Sequence, residues 1–259
     1  MKCKIAHAQD SHIGLKRENN EDSFVCLEFP DIPELIALGA IDGVGGYTGG
    51  EVAATLCKYF VEKYLEKHQS ELHKNPLEFI SHALQKANNV IYKEREKQEH
   101  LSRMSCVATV ALLNCKQQCL YFAHVGDTRG YIYREAELIK FTEDHSLVGY
   151  LEDLGEITEE EALAHPRRNE VSKALGGKVL KPGSKYIQSG EHSFYSNDIV
   201  LFCSDGLTDL VTRDEIRVIL QSEATLDEKK IALIDTANTK GGKDNITVAL
   251  ASYPKETKG

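Results

Sequence analysis

Three apolar runs in this chain meet an aspartate that has a glycine or an asparagine beside it. The run 35–41 stops at Asp42-Gly43, the run 198–203 passes through Ser204 to Asp205-Gly206, and Asp244-Asn245 opens the run 246–251. A carboxylate at the end of a buried strand is costly to ionise unless something pairs with it. Asp42 with its glycines also reads as plain loop punctuation when taken alone. Asp127, in Gly126-Asp127-Thr128-Arg129, is a fourth acid at a strand end. If the strands belong to central sheets with their ends together, these carboxylates converge. Several like charges within a few ångströms repel one another unless a cation neutralises them. Oxygen-only ligands select a hard cation, Mg2+ or Mn2+, over zinc. A glycine beside the acid lets the backbone carbonyl of Gly43 approach the same ion. Two such ions can share one water and hold a phosphoryl group.

The rest of the chain supplies elements to carry those ends. Alternation predicts strands over 3–9 and 22–29, the latter with Phe24, Cys26 and Glu28 on one face and Val25, Leu27 and Phe29 on the other. Between them, Arg17-Glu18-Asn19-Asn20-Glu21-Asp22 is charge-dense; Arg17 offers a fork for an oxyanion, and Glu21 and Asp22 stand at a strand start near other acids. Apolar residues recur at three- and four-residue spacing from Thr48 to about His68, and again after Pro76. Two long helices are expected there, lying together on a sheet. Short strands at 105–113, 119–125, 130–134 and 138–141, with hairpin-length turns, imply antiparallel pairing. Residues 144–178 change character, and two short helices are expected at about 146–154 and 158–164, the second with Thr158 and Glu161 as a capping box. Beyond the strand 198–203, a helical turn at 206–210 would let Asp205 and Asp209 face the same way. Helices near 213–222 and 226–239 precede the last strand, 246–251, and a loose tail, 252–259.

Bulk properties exclude several classes. The formal charge of -9 argues against a nucleic acid as the main partner. No apolar run approaches the roughly 18 residues of a membrane span, and Met1 to Asp10 has no signal-peptide shape. The seven cysteines are odd in number, scattered and without a CxxC pair, which reads as reduced thiols of a cytosol, most of them core filler. No cysteine has an arginine six positions on, so a thiol phosphatase is excluded. GxSxG, GxxxxGK[ST] and HExxH are absent. His124, inside a strand, reads as a satisfied core histidine.

The motifs, taken in order, carry a resemblance. Arg17-x-x-Asn20-Glu21-Asp22, Asp42-Gly43-Val44-Gly45-Gly46, Val125-Gly126-Asp127-Thr128-Arg129, Thr142-Glu143-Asp144-His145-Ser146, Ser204-Asp205-Gly206-Leu207-Thr208-Asp209 and Gly241-Gly242-x-Asp244-Asn245-Ile246-Thr247 are similar to the motif series of the metal-dependent protein phosphatases of the 2C family. The stretches Ile157-Thr158-Glu159-Glu160-Glu161-Ala162, His165-Pro166-Arg167-Arg168-Asn169 and Ala174-Leu175-Gly176-Gly177 resemble its bacterial Ser/Thr branch. The likeness runs over about residues 5–251.

The resemblance implies an α+β fold: a four-layer αββα sandwich, two central antiparallel β-sheets flanked by helix pairs, as a single domain over 1–259 with a mobile flap at 147–178. It implies hydrolysis of phosphoserine and phosphothreonine in proteins by a water bridging two Mn2+ or Mg2+ ions. Asp42, the Gly43 carbonyl, Asp205 and Asp244 would hold these ions, with Glu21 and Asp22 binding their waters. Asp127, with Asp205 and Asp209, matches a third-metal site, and Arg17 would grip the substrate phosphate. Implied partners are phosphorylated proteins, the products of a Ser/Thr kinase, for a cytoplasmic monomer without nucleic-acid or membrane partners. The chain departs from the pattern at Val44, where eukaryotic members carry a histidine proposed as general acid, at Tyr47, and at Ser105-Cys106. Two rivals stand beside this reading. A non-catalytic phosphoprotein-binding module could dispense with ligands, yet all three of Asp42, Asp205 and Asp244 are present; hydrolysis of a non-protein phosphoester would use the same ligands.

Overall fold

The computed structural model describes residues 3–44 and 49–253; residues 45–48, Tyr47 and the expected helix start at Thr48 among them, lie outside the described residues, as do 254–259. The strands are β1 (Ala6–His12), β2 (Ser23–Glu28), β3 (Leu35–Val44), β4 (Ser105–Asn114), β5 (Cys119–Val125), β6 (Arg129–Arg134), β7 (Glu137–Lys140), β8 (Gln188–Ser193), β9 (Ile199–Cys203) and β10 (Ile246–Ser252). They form two five-stranded sheets, ordered β1-β10-β9-β6-β7 and β2-β3-β4-β5-β8. Every pairing between these strands is antiparallel. The helices are α1 (Gly50–Lys67), α2 (Pro76–Lys97), α3 (Leu147–Asp153), α4 (Glu159–Ala164), α5 (Asp205–Thr208), α6 (Arg213–Gln221) and α7 (Leu226–Thr239).

Side-chain parity along the strands builds the layers. On β3, Leu35, Ala37 and Ile41 join Val61, Ile80 and Leu84 of α1 and α2. The residues between them, Ile36, Leu38 and Ala40, meet Val200, Phe202 and Ala249 of the other sheet. On β9, Leu201 and Cys203 turn outward to Ile216, Leu220 and Leu233 of α6 and α7. Both central sheets are thus covered on both faces. That is why β3 and β9 are unbroken apolar runs rather than alternating ones. The result is the expected helix–sheet–sheet–helix sandwich.

Register then gathers the strand ends. Val248 lies opposite Cys203, so the end of β9 stands beside the start of β10, and Asp205 emerges next to Asp244. Arg129 is also opposite Cys203, which brings Asp127 to the same edge. His12 is opposite Ile246, so the connection 13–22 starts there. In the second sheet Ser23 pairs with Ile41, setting Asp22 beside Asp42. Asp42 continues the parity of Leu38 and Ala40, toward the facing sheet.

Several expectations are corrected. The first strand begins at Ala6, not residue 3. β8 (Gln-Ser-Gly-Glu-His-Ser) has no apolar alternation and was not foreseen; it is a mostly exposed edge strand held by β5 alone. The tail is fixed further than expected: Ser252 completes β10, and Tyr253 is buried with its hydroxyl donating to the Phe194 carbonyl at 2.9 Å. The thiols are not all reduced, since Cys3 and Cys115 are disulfide-bonded with Cα atoms 6.2 Å apart. That pairing spans 112 residues and follows from where the segment before β1 meets the end of β4, which spacing does not reveal. Cys57, Cys106 and Cys203 are buried core filler, as expected.

Candidate metal centre

Each predicted acid reaches its place through a strand end or a tight turn. Asp205 opens the single turn α5, and the Asp209 N–H donates to the Asp205 carbonyl at 2.7 Å, so both carboxyls leave one side of that turn. Asp42 and Asp205 are half-buried, and their acid groups are pushed well above the usual carboxylate range. For Asp42 the causes are burial, then the charges of Asp22, Asp205, Asp127 and Asp244. For Asp205 they are burial, then Asp127, Asp209, Asp244 and Asp22. Burial also lifts Asp22 and Asp127 to about 7. Six acids, Asp22, Asp42, Asp127, Asp205, Asp209 and Asp244, therefore bear on one another at the same end of the sandwich, as the strand-end argument requires.

A polar scaffold fixes the acids that line this end. Asp22 Oδ2 accepts from Ser204 Oγ and Thr247 Oγ1, each at 2.7 Å. Thr247 Oγ1 in turn accepts from Ser11 Oγ at 2.8 Å, and Asn20 Nδ2 donates to that Ser11 oxygen at 2.9 Å. Asn245 is the hub of the 13–22 connection: its side chain donates to the Ile13 and Asn19 carbonyls, both at 2.9 Å, and accepts from the Glu21 N–H at 2.8 Å. Arg17 at the tip of that connection donates to Asp244 Oδ2 at 2.6 Å and is itself 44% exposed. Close backbone approach needs two glycines. A Cβ on Gly43 would strike the Gly50 and Glu21 backbone, and one on Gly206 would strike the Asn245 carbonyl.

The excursion 147–178 covers one side of the centre. Arg168 donates to Asp209 Oδ2 at 3.1 Å. Arg129 bridges Asp144 and Glu152 at 2.7 and 2.9 Å, and Arg213 reaches Glu152 at 2.6 Å. A cavity of about 40 Å³ lies beneath, lined among others by Asp127, Arg168, Asp205 and Asp209. Sequence reasoning assigned no role to Arg129, Asp144, Glu152 or Arg168. Arg129, Asp144 and Arg168 stand inside motifs that resemble the family's, which was the available signal; Glu152 had none.

The donor set fits a hard cation: carboxylates and a backbone carbonyl, with no sulfur among them. His124 is no ligand. It is fully buried, bonded to Thr109 Oγ1 at 2.8 Å and the Glu143 carbonyl at 3.1 Å, and burial drives its ring down to about 3. Among the described residues, no three His, Cys, Asp or Glu side chains close tightly enough to hold an ion by themselves. Mutual repulsion opposes that closure, and arginines have taken two of the acids, Asp244 and Asp209.

The family model described as protein phosphatase 2C matches residues 9–246 of this chain. The serine/threonine phosphatase stp of Listeria monocytogenes serotype 4b is 34% identical over 247 residues, covering 95% of each chain. The crystal structure of the Mycobacterium tuberculosis serine/threonine phosphatase PstP/Ppp is similar with a TM-score of 0.81 at 33% identity, covering 97% of this chain and 99% of that one. A structure of the PstP catalytic domain in complex with two manganese ions is similar with the same score, 0.81, at 32% identity, covering 98% of this chain and 100% of that one.

Proposed function

This chain belongs to the protein phosphatase 2C family, and from that premise we propose that it removes phosphate from phosphoserine and phosphothreonine in proteins, with Mn2+ or Mg2+ as cofactor. The observation that carries this reading is the convergence of Asp42, Asp205 and Asp244, from three strands, under charges that raise Asp42 and Asp205 together. The manganese complex of PstP, a similar chain, supports two ions.

Asp42, the Gly43 carbonyl, Asp205 and Asp244 would hold the ion pair, with Glu21 and Asp22 beside it and Asp127 and Asp209 placed for a third. When bound, such ions acidify a water for attack on phosphorus and offset the charge of the phosphate. The chain's own contribution is position. Ser204 and Thr247 fix Asp22, while Asn245 fixes the connection that presents Arg17. Arg17 is half-exposed on a single contact to Asp244, and its fork can turn to a phosphate oxygen and spread the charge that builds there. Val44 bears no proton donor, so the departing serine or threonine oxygen takes its proton from water. Substrates would be the phosphorylated products of a Ser/Thr kinase, met by a monomer in the cytoplasm.

Replacing Asp205 by Asn tests this directly. Hydrolysis of a phosphothreonine peptide with added Mn2+ should fall by at least about 10²-fold. Full activity in that variant would overturn the two-ion assignment, and a preference for small phosphoesters over phosphopeptides would overturn the substrate class.

A further inference from the structure

A second chemical constellation lies away from the phosphatase centre. β1 and β2 are edge strands of opposite sheets, and side chains from the two meet across the open side of the sandwich. Cys26 Sγ on β2 lies 3.6 Å from Nδ1 of His7 on β1. His7 Nε2 stands 2.7 Å from Glu28 Oε1, and Gln9 Oε1 stands 3.0 Å from Nδ1. Cys26 and Glu28 are two residues apart on one strand, so both face the ring. Thiol, imidazole and carboxylate thus stand in line, with a ring nitrogen beside the sulfur and a carboxylate behind the ring.

The surroundings support that order. His7 is raised to about 10, first by the bond to Cys26, with burial opposing and then Glu28 and Gln9 adding. Lys4 acts on Glu28 from the segment before β1, and from α1 Glu62 Oε1 accepts from the Cys26 N–H at 3.4 Å, with Lys58 acting on Glu62. Across β1, the strand partner of His7 is Ala251, which carries no charge. Because Glu62 takes the Cys26 N–H, that group is not free to stabilise an oxyanion, which disfavours acyl transfer. Exchange at sulfur needs only an accessible nucleophilic sulfur. Cys26 is half-buried, whereas Cys57, Cys106 and Cys203 are buried.

We propose that Cys26 is a thiol-modification site that forms mixed disulfides with low-molecular-mass disulfides, with His7 and Glu28 as its positioning residues. His7 Nδ1 stands beside the sulfur, and Glu28 holds the far side of the ring. The Cys26 sulfur attacks one sulfur of the incoming disulfide; a new S–S bond forms, the old one breaks, and the departing thiolate is protonated from solvent. Cys26 is oxidised and the departing sulfur reduced, so no further oxidant is required.

Cys119 serves as the internal reference. It is equally half-buried, but burial pushes its thiol up and its Sγ points to the Leu120 carbonyl. The native protein, with Cys3–Cys115 intact, is incubated with oxidised glutathione at pH 7, quenched with an alkylating agent and mapped by peptide mass spectrometry. Cys26 should acquire glutathione about tenfold faster than Cys119. His7→Gln, and independently Glu28→Gln, should slow Cys26 labelling at pH 7 with a smaller gap at pH 9.5, while leaving the Cys119 rate unchanged. Equal rates at Cys26 and Cys119 would overturn the proposal. So would undiminished Cys26 labelling in a folded His7→Gln or Glu28→Gln variant.

Discussion

Gly206 follows Asp205 on the one turn of α5, and any side chain there would run into the Asn245 carbonyl oxygen. That oxygen also faces Ser204 Oγ at 3.4 Å, and its own residue anchors the Arg17 connection, so neither partner can retreat freely. Gly206→Ala is therefore expected to destabilise the protein by about 3 kcal/mol, read as a shift of the urea midpoint with unchanged slope. His124 gives the pH-dependent counterpart. Its ring is lowered to about 3 by burial, then by His145, itself lowered to about 4 by burial. Between that value and the ordinary 6.5, the unfolded chain binds a proton that the folded chain refuses. Stability from this ring is complete above 6.5 and is lost as pH falls toward 3. His124→Gln should be less stable than the parent at pH 7, yet its urea midpoint should fall less between pH 6.5 and 4.5. A parallel fall in both proteins would refute the buried neutral ring as the cause.

Among the elements, the excursion 147–178 is held by charge more than by apolar packing. Glu152 is only 5% exposed and receives both Arg129 and Arg213. Removing its charge leaves Arg129, 13% exposed, with one carboxylate fewer. Glu152→Gln should cost about 3 kcal/mol and speed proteolytic cleavage within 147–178 before the sheets open; cleavage starting elsewhere would refute the clamp. Legibility in the sequence divides along similar lines. β3, β9 and β10 were readable because burial on both faces leaves unbroken apolar runs, and α4 because Thr158 and Glu161 form the capping box. β8 was not, because an edge strand of polar residues carries no pattern of its own. The acids were legible as strand-end anomalies. Their supports were not: Ser204 and Thr247 reach Asp22 across 182 and 225 positions of sequence. Nor was the Arg168 contact to Asp209, which depends on how the excursion folds back. The four-layer arrangement came from family resemblance, since periodicity alone does not say which faces meet.

For the whole molecule, the centre sets function against stability. Burial and four other acids disfavour a charged Asp42, so gathering these groups costs folding energy that a bound cation would return. Mn2+ at a hundredfold excess over its dissociation constant would add about 2.7 kcal/mol, or roughly 5–10 °C in thermal midpoint for a chain of this size. Asp42→Asn keeps the shape and removes one of the repelling charges. Without metal it should melt above the parent, and with Mn2+ its midpoint should scarcely move, while hydrolysis of a phosphothreonine peptide is lost. Scanning calorimetry of both proteins, with and without Mn2+, separates this account from a merely structural Asp42. If Asp42 only braced the β3 end, its replacement would lower the metal-free midpoint and leave the Mn2+ shift intact. If Asp42 belongs to a shared cation cage, the two effects reverse, because the charge that the ion needs is the charge that the empty fold resists.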